Sequence, residues 1–177
     1  MTVPFKLHIG GESPKEGWKI LNIQSGPNVD HVGTCLDLSQ FAANSAVEIY
    51  LSHVLEHLDY KDEVAVALRE FARILAPGGK LMVSVPDLDV ICHMLSAPYV
   101  RPDGKYSMMR ILYGGHTNPY DYHKSGYTHA ILHHFLDQAG FERIKRVESF
   151  GLFTDMSEFA VGGVPISLNV EAFRPGT

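Results

Sequence analysis

The chain has 177 residues, with 15 Lys+Arg against 20 Asp+Glu and a formal net charge of −5. That length predicts one domain, residues 1–177, able to bury its own core without a disulfide or structural metal. Hydrophobic residues at 45% and charged residues at 20% exclude global disorder; the acidic balance argues against a nucleic-acid partner, and no apolar run is long enough for a membrane span.

The start, Met1-Thr-Val-Pro-Phe-Lys-Leu, has no basic region followed by a long apolar stretch, so no secretory signal is expected. Cys35 and Cys92 lack CxxC spacing, which fits a reduced, cytoplasmic protein. Histidine is the unusual count, at 10.

Phe5 to Ile9 reads as a short strand stopped by Gly10-Gly11, and Glu12 to Glu16 as a polar loop. Trp18 to Ile23 reads as a second strand ended by Ser25-Gly26-Pro27. A weaker third strand is expected near Val29 to Val32, and a fourth over the β-branched and aromatic run Val47 to Leu51. Val64, Leu68, Phe71 and Leu75 recur at helical spacing, with Asp59 as the expected N-cap and Pro77-Gly78-Gly79 as the stop. Lys80 to Val85 has the apolar centre of a strand buried on both faces.

A short helix follows from about Leu88 to Leu95. Residues 97–127 then show no periodicity and are rich in Gly, Pro, Tyr and His. Such a stretch inside a compact domain suggests a lid or substrate loop, with Gly114-Gly115 and Ser125-Gly126 as hinges. Thr128 caps a helix carrying Leu132, Phe135, Leu136 and Ala139, closed by Gly140. Phe141 to Phe150 and Pro165 to Phe173 read as two last strands without a helix between them, and the basic Arg143, Lys145 and Arg146 as a solvated strand edge. Alternating strands and helices predict an α/β fold with a mostly parallel central sheet and an antiparallel C-terminal edge strand. Ligands then bind at the carboxyl ends of the strands.

Leu75-Ala-Pro-Gly-Gly-Lys-Leu81, the upstream Ser52-His-Val-Leu-Glu-His-Leu58, Leu136-Asp-Gln-Ala-Gly-Phe141 and the segment Tyr113 to Tyr127 occur in the order and at the spacings of one family. From Lys6 to about Phe173 the chain resembles the small, type-11-like class I methyltransferases that use S-adenosylmethionine, with S-adenosylhomocysteine as product. The resemblance implies a Rossmann-like fold. It implies that Gly10 and Gly11 approach the methionine end of the cofactor and that Gln24 meets the ribose. Thr34, Cys35 and Leu36 would flank adenine, and Ser52 and His53 would line the cofactor near the reacting methyl.

The sequence departs from the family pattern in three places. Glu12 stands where a small residue is expected, Gln24 replaces the acid after the second strand, and Thr34 displaces the acid of the adenine segment. These departures motivate an alternative, a methyltransferase-fold binding protein that has lost catalysis.

His123 is the leading candidate for a general base, with Asp121 and His57 as orienters or rivals. His53 and His57 stand four apart, a spacing metal ligands use. The same Leu-Glu-His pattern occurs in metal-free methyltransferases, so no metal is expected. The expected acceptor is a small or sugar-like molecule. A homodimer through the last strands is the prior expectation for assembly. No N-terminal helix is expected to cover the cofactor.

Overall fold

The computed structural model describes residues 4–176. The first four strands are β1 (Phe5–Ile9), β2 (Trp18–Asn22), β3 (His31–Val32) and β4 (Ala46–Ser52). Then come α1 (Glu63–Ile74), β5 (Leu75–Pro86), α2 (Leu88–Ser96), α3 (Pro102–Tyr113) and α4 (His129–Gln138). The chain ends with β6 (Glu142–Val147), the two-residue strands β7 (Ala160–Val161) and β8 (Val164–Pro165), and β9 (Ser167–Phe173).

Seven strands form one sheet in the order β3-β2-β1-β4-β5-β9-β6. The pairs from β3 through β5 are parallel, and β9 runs antiparallel to both of its neighbours. The C-terminal strand thus inserts one place in from the edge, and β6 takes the rim. The α/β class with a mostly parallel sheet and an antiparallel C-terminal strand agrees with the alternation in the sequence.

One face of the sheet is apolar. Leu7, Ile49, Leu51, Leu81, Val83, Leu168 and Val170 pack under α1 and α4, which contribute Leu68, Phe71, Leu132 and Leu136 to the same core. This explains the amphipathic pattern of α1, whose buried positions are Val64, Ala67, Leu68, Phe71 and Ile74. The opposite face is polar at the start of the strands and aromatic at its middle. Lys6–Glu48 (3.1 Å), Lys80–Glu171 (3.4 Å) and Lys145–Glu171 (3.1 Å) form a ladder of ion pairs across it. Trp18, Tyr50 and Met82 are covered there by Phe150, Leu152 and Phe153. The Tyr50 hydroxyl donates to Asp155 at 2.8 Å, fastening that covering segment to the sheet.

Several local expectations change. Helix α1 starts at Glu63, with Asp62 at its N-cap position. The Asp59 carboxylate instead accepts from the Lys61 N–H at 2.9 Å, a local turn ahead of the helix. Leu75 leaves the helix and opens β5. Pro77-Gly78-Gly79 therefore lies within that strand, where the β4–β5 register shifts. Residues 97–127 are not without regular structure, because α3 occupies Pro102–Tyr113. Its apolar side, Met108 with Ile111 and Leu112, packs on Ile91 and Met94 of α2. Thr128 does cap α4, accepting from the Ile131 N–H at 3.2 Å.

Candidate functional site

The carboxyl ends of β1, β2, β3 and β4 open into a cleft of about 470 Å³. Ile9, Leu21, Ile23, Val54 and Leu58 give it apolar walls. Residues 118–122 and Lys124, from the segment after α3, close one side. Lys124 reaches Glu63 at the start of α1 with a 3.0 Å ion pair, which ties that segment to the body of the fold.

Gly10, Gln24, Thr34, Cys35, Leu36, His53, His57 and Asp121 all line the cleft. Gly10 has φ +76°, and a Cβ built there would lie 2.6 Å from Val54 Cγ2. Its N–H is already donated to the Leu21 carbonyl at 2.8 Å. Glycine here gives close approach rather than a free donor. The strand β2 ends at Asn22, two residues before Gln24. The Asn22 amide is spent on the Gly11 carbonyl (3.1 Å) and on the Gln24 N–H (2.9 Å), so it stitches the first two loops together. The Thr34 hydroxyl accepts from the Leu36 N–H. Burial pushes the Cys35 thiol up to about 12, so it stays protonated and is no nucleophile.

Two of the sequence candidates turn away from the cleft. A Cβ on Gly11 would meet the His8 ring at 2.4 Å, so this glycine makes room for a buried imidazole. The Ser52 hydroxyl donates to Asp155 at 3.2 Å. Strand alternation explains the second case: the hydroxyl of Ser52 reaches the face that carries Tyr50, whose own hydroxyl also bonds Asp155.

A cluster of ionisable groups sits where β4 gives way to a single 3-10 turn, Leu55–His57. His53 has φ +55°. Its Nδ1 lies 3.2 Å from Glu56 Oε1 and its Nε2 lies 3.0 Å from the Ser167 hydroxyl. Glu56 is 1% exposed. Burial alone would push its carboxyl up, yet His53, His123 and His57 together hold it below the usual carboxylate range. His57 Nδ1 lies 3.2 Å from the Tyr122 carbonyl. A carbonyl only accepts, so Nδ1 carries a proton, and in the neutral ring the lone pair then belongs to Nε2.

His123 lies outside the cleft wall and packs edge-on against His57, with ring centroids 4.7 Å apart. Burial holds its pKa below the ordinary histidine value, with Glu56 opposing. Asp121 lines the cleft but is committed to its own loop. It accepts from the Gly115 N–H, the Thr117 N–H and the Thr117 hydroxyl, the last at 2.6 Å. The space that a Cβ on Gly114 or Gly115 would fill is held by Asp121.

Reading the sequence did not single out Asn22, Glu63, Lys124 or Glu56 as site residues. Glu56 had a signal, a carboxylate between two histidines directly after a strand, but its burial depends on Lys124 and Ser125. Their N–H groups bond the Glu56 carbonyl at 2.7 and 3.1 Å and fold a remote segment over the turn.

A family described as "Methyltransferase domain" matches residues 14–145. Among solved structures, a SAM-dependent methyltransferase from Archaeoglobus fulgidus superposes with a TM-score of 0.61 at 15% identity, covering 97% of this chain and 86% of that one. Human N-acetylserotonin methyltransferase in complex with SAM gives 0.58 at 17% identity, over 98% of this chain and 48% of that one. A chain from Bordetella parapertussis, described as a possible exported protein, gives 0.60 at 14% identity, over 99% of this chain and 63% of that one. The chain thus spans about half to two thirds of the length of the last two. No curated protein sequence matches it. Among the described residues, no helix is long and apolar enough to cross a membrane.

Proposed function

Because this chain belongs to the methyltransferase-domain family of class I, SAM-dependent enzymes, we propose that its cleft holds S-adenosylmethionine and that it methylates a hydroxyl or amine of a small-molecule or sugar-like acceptor. The observation that carries this reading is Gly10. Its positive φ and the 2.6 Å Cβ approach to Val54 require glycine at the floor of a cleft of cofactor size. The lining supports the fit. Apolar Ile9, Leu21 and Ile23 suit a nucleoside, and Gln24 offers an amide to ribose hydroxyls. The segment 34–36 offers backbone groups and the Leu36 side chain to adenine.

When bound, the cofactor supplies a methyl group on a positively charged sulfur. The protein's own tasks are alignment and exclusion of water. The segment 118–122, which closes one side of the cleft, is the part of the fold placed to limit solvent entry. The acceptor end is assigned to the wall carrying His57. With Nδ1 held by the Tyr122 carbonyl, His57 Nε2 is the lone pair available to take the acceptor's proton. His123 backs the His57 ring as a positioning residue, and Asp121 braces the loop that carries both Tyr122 and His123. These assignments move the base role from His123 to His57.

The test is calorimetry of the full chain with S-adenosylmethionine and S-adenosylhomocysteine. Binding at micromolar to low-millimolar ligand is expected. Its absence at millimolar ligand overturns the reading in favour of a binding protein that has lost catalysis. With binding in hand, labelled methyl transfer to hydroxyl and amine acceptors reads the reaction. His57→Ala is then expected to lower kcat by about 100-fold or more while cofactor affinity changes little.

A further inference from the structure

We propose that Glu56, His57 and His123 form a binding site for one divalent transition-metal ion of the zinc type. Nothing in the family match requires such an ion. The inference starts from a buried group without an adequate partner. Both Glu56 carboxylate oxygens are inaccessible and make no hydrogen bond among the described residues, although the side chain is 1% exposed. His53 Nδ1 approaches Oε1 at 3.2 Å without hydrogen-bond geometry. A buried carboxylate left in this condition is costly, and a cation is the partner that offsets the cost most fully.

The surroundings supply the remaining ligands. One ligand atom each from Glu56, His57 and His123 lies within 4.8 Å of the other two. Two imidazoles and one carboxylate, with a fourth position open, is a donor set that zinc-type ions take when they act on a substrate. A tetrahedral ion with bonds near 2.1 Å holds its ligand atoms about 3.4 Å apart, so binding draws the cluster together by at most about 1.4 Å. The outer contacts are those of a metal-bound imidazole. The Tyr122 carbonyl fixes His57 Nδ1 as the protonated nitrogen and leaves Nε2 to ligate. His53, whose other ring nitrogen lies against the Ser167 hydroxyl, faces the carboxylate from behind.

The three ligands of this cluster come from two regions remote in sequence, the turn after β4 and the segment after α3. Their convergence is what the spacing of His53 and His57 alone does not give. His53 is not in the ligand set: its Nε2 lies 3.0 Å from the Ser167 hydroxyl and its Nδ1 faces Glu56 itself.

The consequence for chemistry rests on the methyl-transfer reading. Of the three ligands only His57 lines the cleft, so its side of the ion is the one a molecule in the cleft can reach. An acceptor hydroxyl bound there would release its proton to water more easily, because the ion stabilises the alkoxide, whose oxygen would then bond the methyl carbon as that carbon's bond to the sulfonium sulfur breaks and leaves a neutral thioether. His57 then acts through the ion rather than as a free base, and the acceptor class narrows to hydroxyl-bearing molecules.

The binding itself is tested without turnover. The full chain is stripped with a chelator and titrated with Zn²⁺ against a chromophoric competitor. One equivalent is expected to bind, weakened at least 10-fold in each of Glu56→Gln, His57→Ala and His123→Ala, and unchanged in the surface control His133→Ala. Co²⁺ in place of Zn²⁺ is expected to give visible absorption bands that are lost in the same variants. No competition by micromolar Zn²⁺, or binding that survives in both His57→Ala and His123→Ala, overturns the site. Should Glu56→Gln not fold, the two histidine variants carry the decision. Parallel calorimetry with S-adenosylhomocysteine separates the two ideas. Zinc bound without the cofactor product keeps the site and sinks methyl transfer; the reverse result sinks only the site.

Discussion

His8 illustrates how a single residue carries consequences across the sheet. Its ring is wedged between Tyr50 and Phe153, and a Cβ on Gly11 would strike it. Burial pushes its pKa down to about 4, against a small opposing pull from Asp155. A histidine with a folded pKa below its unfolded one binds its proton more tightly when unfolded. His8's contribution is therefore full above about 6.5, declines as the pH falls toward 4, and levels off below that. By pH 5 the loss from this group is expected to be about 2 kcal/mol. Urea unfolding at pH 7 and pH 5 reads it, and His8→Phe, which keeps a ring in the stack, is expected to flatten that part of the slope. Gly10→Ala tests the other special residue at this scale. A side chain at φ +76° against Val54 is expected to cost about 1–3 kcal/mol of stability and to weaken cofactor binding at least 10-fold, read by thermal unfolding and calorimetry. Gly10 was legible as a position needing glycine. Gly11 was read in the same way, as approaching the cofactor, whereas the structure gives it a different reason, the His8 ring.

At the scale of the element, what can be read from sequence follows how much of a helix is buried. Helix α1 buries five residues at regular spacing and was placed within a few positions. Helix α3 buries only Met108 completely and carries Gly104 in its interior, so neither periodicity nor propensity marks it. Its Pro102 start was the one local signal available. Capping gives the sharper test. Thr128 accepts from the Ile131 N–H, and the first turn of α4 holds no acidic residue to compensate. Thr128→Ala is expected to cost about 1 kcal/mol, read as a lower thermal midpoint. Asp62→Ala should cost less, because the Asp62 side chain makes no capping bond to α1.

At the scale of the whole molecule, the sheet has two unlike faces. Helices cover one; an ion-pair ladder and a loop cover the other. The α/β class and the antiparallel C-terminal strand were accessible from the sequence, whereas the strand order and this sidedness were not. Lys6, Glu48, Lys80 and Glu171 lie on four different strands and align only once the register is set. Glu171 is the point where the inserted antiparallel strand is tied to both neighbours, through Lys80 on β5 and Lys145 on β6. Burial raises its pKa, but the two lysines outweigh burial and hold it below the usual carboxylate range. Its contribution is therefore present above about 4.5 and lost as the pH falls further. Glu171→Gln leaves two lysines facing each other across β9 without a counter-charge, and is expected to cost about 1 kcal/mol near neutral pH. Lys145→Ala removes one half-exposed cation and leaves the Lys80 pair intact, so it should cost less. Because both lysines are partly in water, added salt is expected to narrow the gap between the two variants. Urea midpoints at low and high ionic strength read that difference. If Lys145→Ala proved as damaging as Glu171→Gln, the ladder would not act through Glu171, and packing of the β9 insertion alone would hold that edge of the sheet.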